Sequence, residues 1–178
     1  VGRGDTDPPL SVVLDDVGVY YDARRPSRLE QQIAAPHTGA ERARAAALAK
    51  AWRDGRVSKY NHSREQPPPG AAPFVLVVDQ TAGDASIECG LASPASFTRM
   101  LDAALDENPG QQVVLKVHPD VIAGRKQAHF DALSVGASSR VVLLASSAHA
   151  PALLETAQSV YVVTSQMGFE ALLWGRPV

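Results

Sequence analysis

From residue 74 onward, short unbroken apolar runs alternate with stretches where apolar residues recur every three or four positions. Phe74-Val-Leu-Val-Val78 is continuous, the pattern of a strand buried on both faces. Over 96–107, Phe97, Met100, Leu101, Ala104 and Leu105 share one helical face, and Asn108-Pro109-Gly110 closes the pattern. Further strands are predicted over 113–117, 141–144 and 160–163, with a short helix over 152–157 and a last one over 166–174. Strands and helices alternating at this spacing imply right-handed crossovers, hence an α/β fold with a Rossmann-like parallel sheet. No period of 20 to 50 residues repeats, which argues against a solenoid.

Before residue 63 the pattern is weaker. Apolar runs at 10–14 and 19–21 flank Asp15-Asp16-Val17-Gly18, predicting two short strands about a tight turn. Ser27 and Glu30 stand at capping-box spacing for a brief helix. An Ala- and Arg-rich helix over 40–53 places Leu48, Ala51 and Trp52 on one side and stops at Gly55. Residues 63–73 hold three consecutive prolines, which neither continue a helix nor enter a central strand. The chain thus divides into a hinge-like segment at 1–62, a linker at 63–73 and an α/β lobe at 74–178.

Composition narrows the class. The 178 residues are 45% hydrophobic, enough to fill a core, and the net charge of −2 gives no electrostatic case for nucleic acid. The single cysteine, Cys89, rules out an internal disulfide framework and fits a reducing compartment. No apolar run approaches the ~20 residues of a membrane span, and no signal peptide opens the chain. A first residue Val1 in place of Met, and an end directly after Gly175-Arg-Pro, read as a piece of a longer protein.

Polar residues follow three of the four strands, and in a parallel sheet those ends share one edge. The first strand leads into Asp79-Gln80-Thr81 and on to Gly83-Asp84, the second into His118-Pro119-Asp120, the fourth into Thr164-Ser165-Gln166. Thr164 and Ser165 are both good N-caps, so the start of the last helix reads as a phosphate seat. Asp79 is either a loop carboxylate or a rigidly held nucleophile or base; Asp84 competes for that role but also suits a helix-start turn. His118, kept extended by Pro119, either serves a phosphate or satisfies a turn. Lys116 is in phase with His118 and reads more simply as a snorkelling side chain. Glu170, beside Gly168, either complements a helix dipole or accepts from ribose hydroxyls. The histidines and Cys89 have no metal-ligand spacing, so no metal site is assigned.

Val77-Val-Asp-Gln-Thr-Ala-Gly-Asp-Ala-Ser-Ile87, Lys116-Val-His-Pro-Asp120 and Thr164-Ser-Gln-Met-Gly-Phe-Glu-Ala-Leu-Leu173 resemble the bacterial capsule polysaccharide biosynthesis and export proteins, a family that contains retaining β-Kdo glycosyltransferases. Pro8-Pro-Leu-Ser-Val-Val-Leu-Asp-Asp-Val-Gly-Val-Tyr-Tyr-Asp22, Arg25-Pro-Ser-Arg-Leu-Glu30 and Ser58-Lys-Tyr-Asn61 extend the likeness almost end to end.

The resemblance implies one lobe of a two-lobed GT-B enzyme, with residues 1–62 as the end of the first lobe. It implies CMP-Kdo as donor with no further cofactor, a lipid-linked capsule glycan as acceptor, and proximity to the capsule export machinery. The expected place is the cytoplasm or the inner face of the inner membrane. Asp79 is then the nucleophile, with Asp84 in reserve, and His118 steadies the departing CMP. Gln80, Lys116, Pro119, Thr164, Ser165, Gln166, Gly168 and Glu170 line the donor. An acidic Glu-Asp-Gly motif of the family's first lobe is absent, so this piece alone is expected to be inactive. Two other classes fit the same frame: a nucleotide-sugar epimerase or isomerase, and a non-catalytic capsule-assembly module.

Overall fold

Four strands, β1 (Phe74–Val78), β2 (Val113–Lys116), β3 (Val141–Leu144) and β4 (Ala157–Tyr161), form one sheet in the order β3-β2-β1-β4. Every pairing is parallel. The architecture comes from a computed structural model that describes residues 12–61, 63, 65–70, 73–117, 121, 127–130 and 138–178.

Side-chain alternation along β1 explains its unbroken apolar run. Phe74, Leu76 and Val78 pack to one side, with Leu153 and Leu154 of α5 (Ala150–Thr156) and Ala171 of α6 (Gln166–Leu173). Val75 and Val77 point to the other side, against Ile87 of α3 (Ala85–Cys89) and Phe97, Met100 and Ala104 of α4 (Pro94–Glu107). A strand covered by helices on both faces needs no polar alternation. The chain steps from β1 to β2 to β3 in one direction, then returns across the sheet to lay β4 on the free side of β1. Reversing direction with right-handed crossovers sends α4 and α5 to opposite faces.

Three expected strands differ. The last strand begins at Ala157 rather than Val160, because Ala157 pairs with Phe74 ahead of an irregularity that leads into the Ser159–Val75 pair. The strands expected at 10–14 and 19–21 do not form: 12–14 and 19–21 carry no strand pairing, while residues 10 and 11 lie outside the described set. Asp15 gives the physical reason. Its carboxylate accepts from the N–H groups of Val17, Gly18, Arg28 and Leu29, tying the turn to the first turn of α1 (Arg28–Ala34) rather than to a hairpin. Those N–H groups, Gly18 foremost, hold its carboxyl at about 2. Gly18 is required here, since a Cβ would sit 2.4 Å from the Pro26 carbonyl oxygen.

Both early helices open on reciprocal caps, Ser27 with Glu30 for α1 and Thr38 with Glu41 for α2 (Gly39–Asp54). Neither contains a buried residue. Gly55 does end α2, yet it keeps a right-handed backbone, and the left-handed residue is Arg56 at φ 49°. Arg53 donates to the Leu173 carbonyl at 2.5 Å, anchoring α2 beside α6. Within the expected linker, Gln66 accepts from Ser146 at 2.9 Å and Glu65 holds both Arg56 and His149, so these residues lie against the lobe.

Candidate functional site

The reversal in strand order puts a topological switch between β1 and β4, and in open α/β sheets the crevice beyond that point is where ligands bind. Residues following these two strands meet there. Gln80, directly past β1, grips Thr164, past β4, with both ends of its amide. Its Oε1 accepts from the Thr164 N–H at 2.9 Å, and its Nε2 lies 2.9 Å from Thr164 Oγ1. Ser86 Oγ completes the knot, 3.0 Å from Thr164 Oγ1. Gly90 lets α3 close on this point, because a Cβ there would stand 2.8 Å from the Thr164 methyl group.

Asp79 sits beside the knot with its side chain wholly covered. One carboxylate oxygen, Oδ1, accepts from the Gln80 N–H at 2.8 Å and lies 3.2 Å from His129 Nδ1. The other, Oδ2, lies 3.4 Å from the His129 N–H. Burial pushes the carboxyl above its ordinary range, opposed by the Gln80 and His129 hydrogen bonds. The imidazole of His129 stacks parallel on Phe97 of α4, ring centroids 3.7 Å apart. This places Asp79 on the α4 side of the sheet.

Lys116 ends β2, next to Asp79 in the ladder, where the Asp79 N–H donates to its carbonyl. Its side chain is only 8% exposed, and burial pushes the ammonium down to about 8. It is in phase with Val114, which packs on the α5 and α6 side, so the two charged groups leave the sheet on opposite faces.

At the start of α6 the cap is Ser165, whose Oγ accepts from the Met167 N–H at 3.3 Å; Thr164 is spent on Gln80. Gln166 is exposed at the first turn. Gly168 is buried, and a Cβ there would come within 2.7 Å of the Val162 side chain, so glycine lets α6 pack this closely. Glu170 is 1% exposed, its Oε1 accepting from the Lys59 N–H at 3.1 Å while Oε2 is buried without a partner among the described residues. Asp84 is exposed and caps α3 through the Ser86 N–H at 3.0 Å and the Ser86 hydroxyl at 2.9 Å, the helix-start role. His118 and Pro119 lie outside the described residues.

The structure therefore brings together Asp79, Gln80, Thr164 and Ser165, and adds His129 and Ser86, which sequence reasoning did not select. His129 stands 50 positions from Asp79 with no motif around it. Among the described residues no cluster of His, Cys, Asp or Glu is arranged to hold a metal ion, and no helix is long and apolar enough to cross a membrane.

Comparison with known proteins follows the same outline. A family model described as "Capsule polysaccharide biosynthesis protein" matches residues 43–178. The capsule polysaccharide modification protein LipA of Neisseria meningitidis serogroup B is 43% identical over 96% of this chain and 25% of its own length. The lipopolysaccharide-processing protein LpsZ of Rhizobium meliloti is 34% identical, with 96% of this chain and 40% of LpsZ covered. Among solved structures, Thermosulfurimonas dismutans KpsC, a β-Kdo 2,4 transferase, superposes with a TM-score of 0.83 at 39% identity, covering 96% of this chain and 54% of that one. The KpsC β-Kdo 2,7 transferase of the same organism gives 0.64 at 26% identity over 92% and 50%. The chain spans about a quarter of the length of LipA.

Proposed function

This chain belongs to the capsule polysaccharide biosynthesis protein family, and from that premise we propose that the full-length protein is a glycosyltransferase that moves Kdo from CMP-Kdo onto a lipid-linked capsule glycan with retention of configuration. The observation that carries the reading is the placement of Asp79 at the β1–β4 switch point, beside the Ser165-capped start of α6. The likeness to two β-Kdo transferases supports the sugar.

The chemistry is a double displacement. An Asp79 carboxylate oxygen bonds to the anomeric carbon of Kdo as the bond from that carbon to the phosphate oxygen breaks, and CMP departs with the electron pair. The acceptor hydroxyl then attacks the same carbon and frees Asp79, giving its proton to a base supplied outside this chain. The Ser165 hydroxyl and the positive end of the α6 dipole face the departing phosphate, a favourable end for an anion. By the resemblance His118 serves the same phosphate, and Gln166 stands exposed at the first turn of α6. Lys116 contributes positive charge at the end of β2, and Glu170, whose buried Oε2 has no partner among the described residues, meets the ribose once the groups covering it move. Asp79 is covered in this structure, so donor entry requires movement of groups around it. A lipid-linked acceptor brings the protein to the cytoplasmic face of the inner membrane, within reach of the export machinery.

The test incubates full-length protein with CMP-Kdo alone, quenches, and maps adducts by peptide mass spectrometry. A Kdo-sized adduct on Asp79 is expected, and Asp79→Ala should reduce transfer by at least about 10³-fold. An adduct on Asp84, or an Asp79→Ala variant with undiminished transfer, would remove the assignment.

A further inference from the structure

His129 does more than fill space beside Asp79. Its Nδ1 lies 2.9 Å from the Gln80 carbonyl oxygen, and a carbonyl only accepts. Nδ1 therefore carries a hydrogen, and the same N–H faces Asp79 Oδ1 at 3.2 Å. From the main chain, the His129 N–H faces Oδ2 at 3.4 Å. One residue thus approaches both oxygens of the covered carboxylate from two directions, while Gln80 N–H supplies the third donor. Phe97 fixes the ring plane, parallel to within 1°, and the imidazole side chain is only 5% exposed. Neither the ring nor its hydrogen has freedom to turn away.

Resting on the reading of Asp79 as nucleophile, we infer that His129 is a positioning residue that holds the Asp79 carboxylate at the orientation needed for attack, through its Nδ1–H rather than through its stacked ring. A carboxylate at a strand end has two rotatable bonds, and nucleophilic attack tolerates little misalignment. In a covered site, donors on both oxygens also favour the ionised form that burial alone opposes.

The ring and the hydrogen are separable by substitution. Phenylalanine keeps the stack on Phe97 and removes the donor. Asparagine loses the stack but places an amide N–H near the Nδ1 position. In full-length protein, adduct formation from CMP-Kdo should fall about 10- to 100-fold in His129→Phe, with the KM for donor within about twofold of the wild type. His129→Asn should recover to within about fivefold of the wild type. Rates are normalised to the folded fraction from near-ultraviolet circular dichroism. If His129→Phe does not fold, His129→Gln takes its place, since its amide reaches the Nε2 position instead, and the same loss is expected. A donor-lacking or donor-misplaced variant as active as the wild type, or more active than His129→Asn, overturns the inference. Asp79→Ala is run alongside. If it stays active, the site reading fails and takes the inference with it; if it is inactive while His129→Phe is unimpaired, only the inference fails.

Discussion

The two halves of this chain are ordered by different forces. Among the described residues every buried hydrophobic side chain lies at or after Phe74, and before it the buried residues are two serines, Ser27 and Ser58. The sheet half is held by burial on two faces. The earlier half is held by directional polar groups: the capping boxes of α1 and α2, and Asp15 with its four backbone N–H partners. Leu14, Ile33 and Leu48 stay exposed at 90%, 68% and 64%. Burial of apolar area is cumulative and cooperative, whereas a cap fixes only its own turn. The site accordingly stands on the half with a core.

Truncating one large apolar side chain in each half should separate them most sharply. Phe74→Ala should cost about 3–5 kcal/mol in urea denaturation, while Leu48→Ala stays within about 0.5 kcal/mol. A comparable cost at Leu48 would show that α2 has a core of its own.

A smaller effect is expected at Lys116, whose charge opposes the core around it. Its pKa falls from 10.5 to about 8 on folding, so the unfolded chain binds more protons between those values, and stability rises with pH across that window. At pH 7 the charge is a cost, and Lys116→Met should stabilise the fold by up to about 3 kcal/mol. That gap should close as the pH passes 10.5; a pH-independent gap in thermal midpoint would mean that packing, not charge, is responsible.

The weakest effect is expected where the halves join. Arg56 bonds Glu65 at 2.7 and 3.0 Å and Glu155 at 3.0 Å, and lies 5.9 Å from the ring centre of Trp174. These groups are partly exposed, so Arg56→Ala should cost about 1 kcal/mol or less, and less again in high salt. A loss that salt does not reduce would point instead to the contact with Trp174.

The lobe was legible because its signals are local and agree with one another. Phe74–Val78 is apolar on both faces because helices cover both, and the pattern states this without further context. The start of β4 was not legible, since Ala157-Gln158-Ser159 lacks strand preference and becomes a strand only by pairing with β1. Val12 to Leu14 differ for the opposite reason: strand-forming residues with no partner strand among the described residues. At the site, Asp79 was readable from its place after an apolar run. Thr164 and Ser165 were indistinguishable as caps until the adjacency of β1 and β4 gave Thr164 to Gln80. His129 carries no local signal, because its partner is set by the path of the chain after β2.

The strand order also dictates a schedule for synthesis. β1 is an inner strand whose outer neighbour, β4, arrives some 80 positions later, when Ala157 comes to pair with Phe74. At the usual pace of a ribosome, Phe74–Val78 waits roughly 4 to 16 seconds with one row of backbone groups open. An apolar, unguarded edge of that kind is a template for pairing with other chains. The arrangement that reverses the strand order also leaves this inner strand to be shielded, by a chaperone or by its own folding partners, until β4 is made.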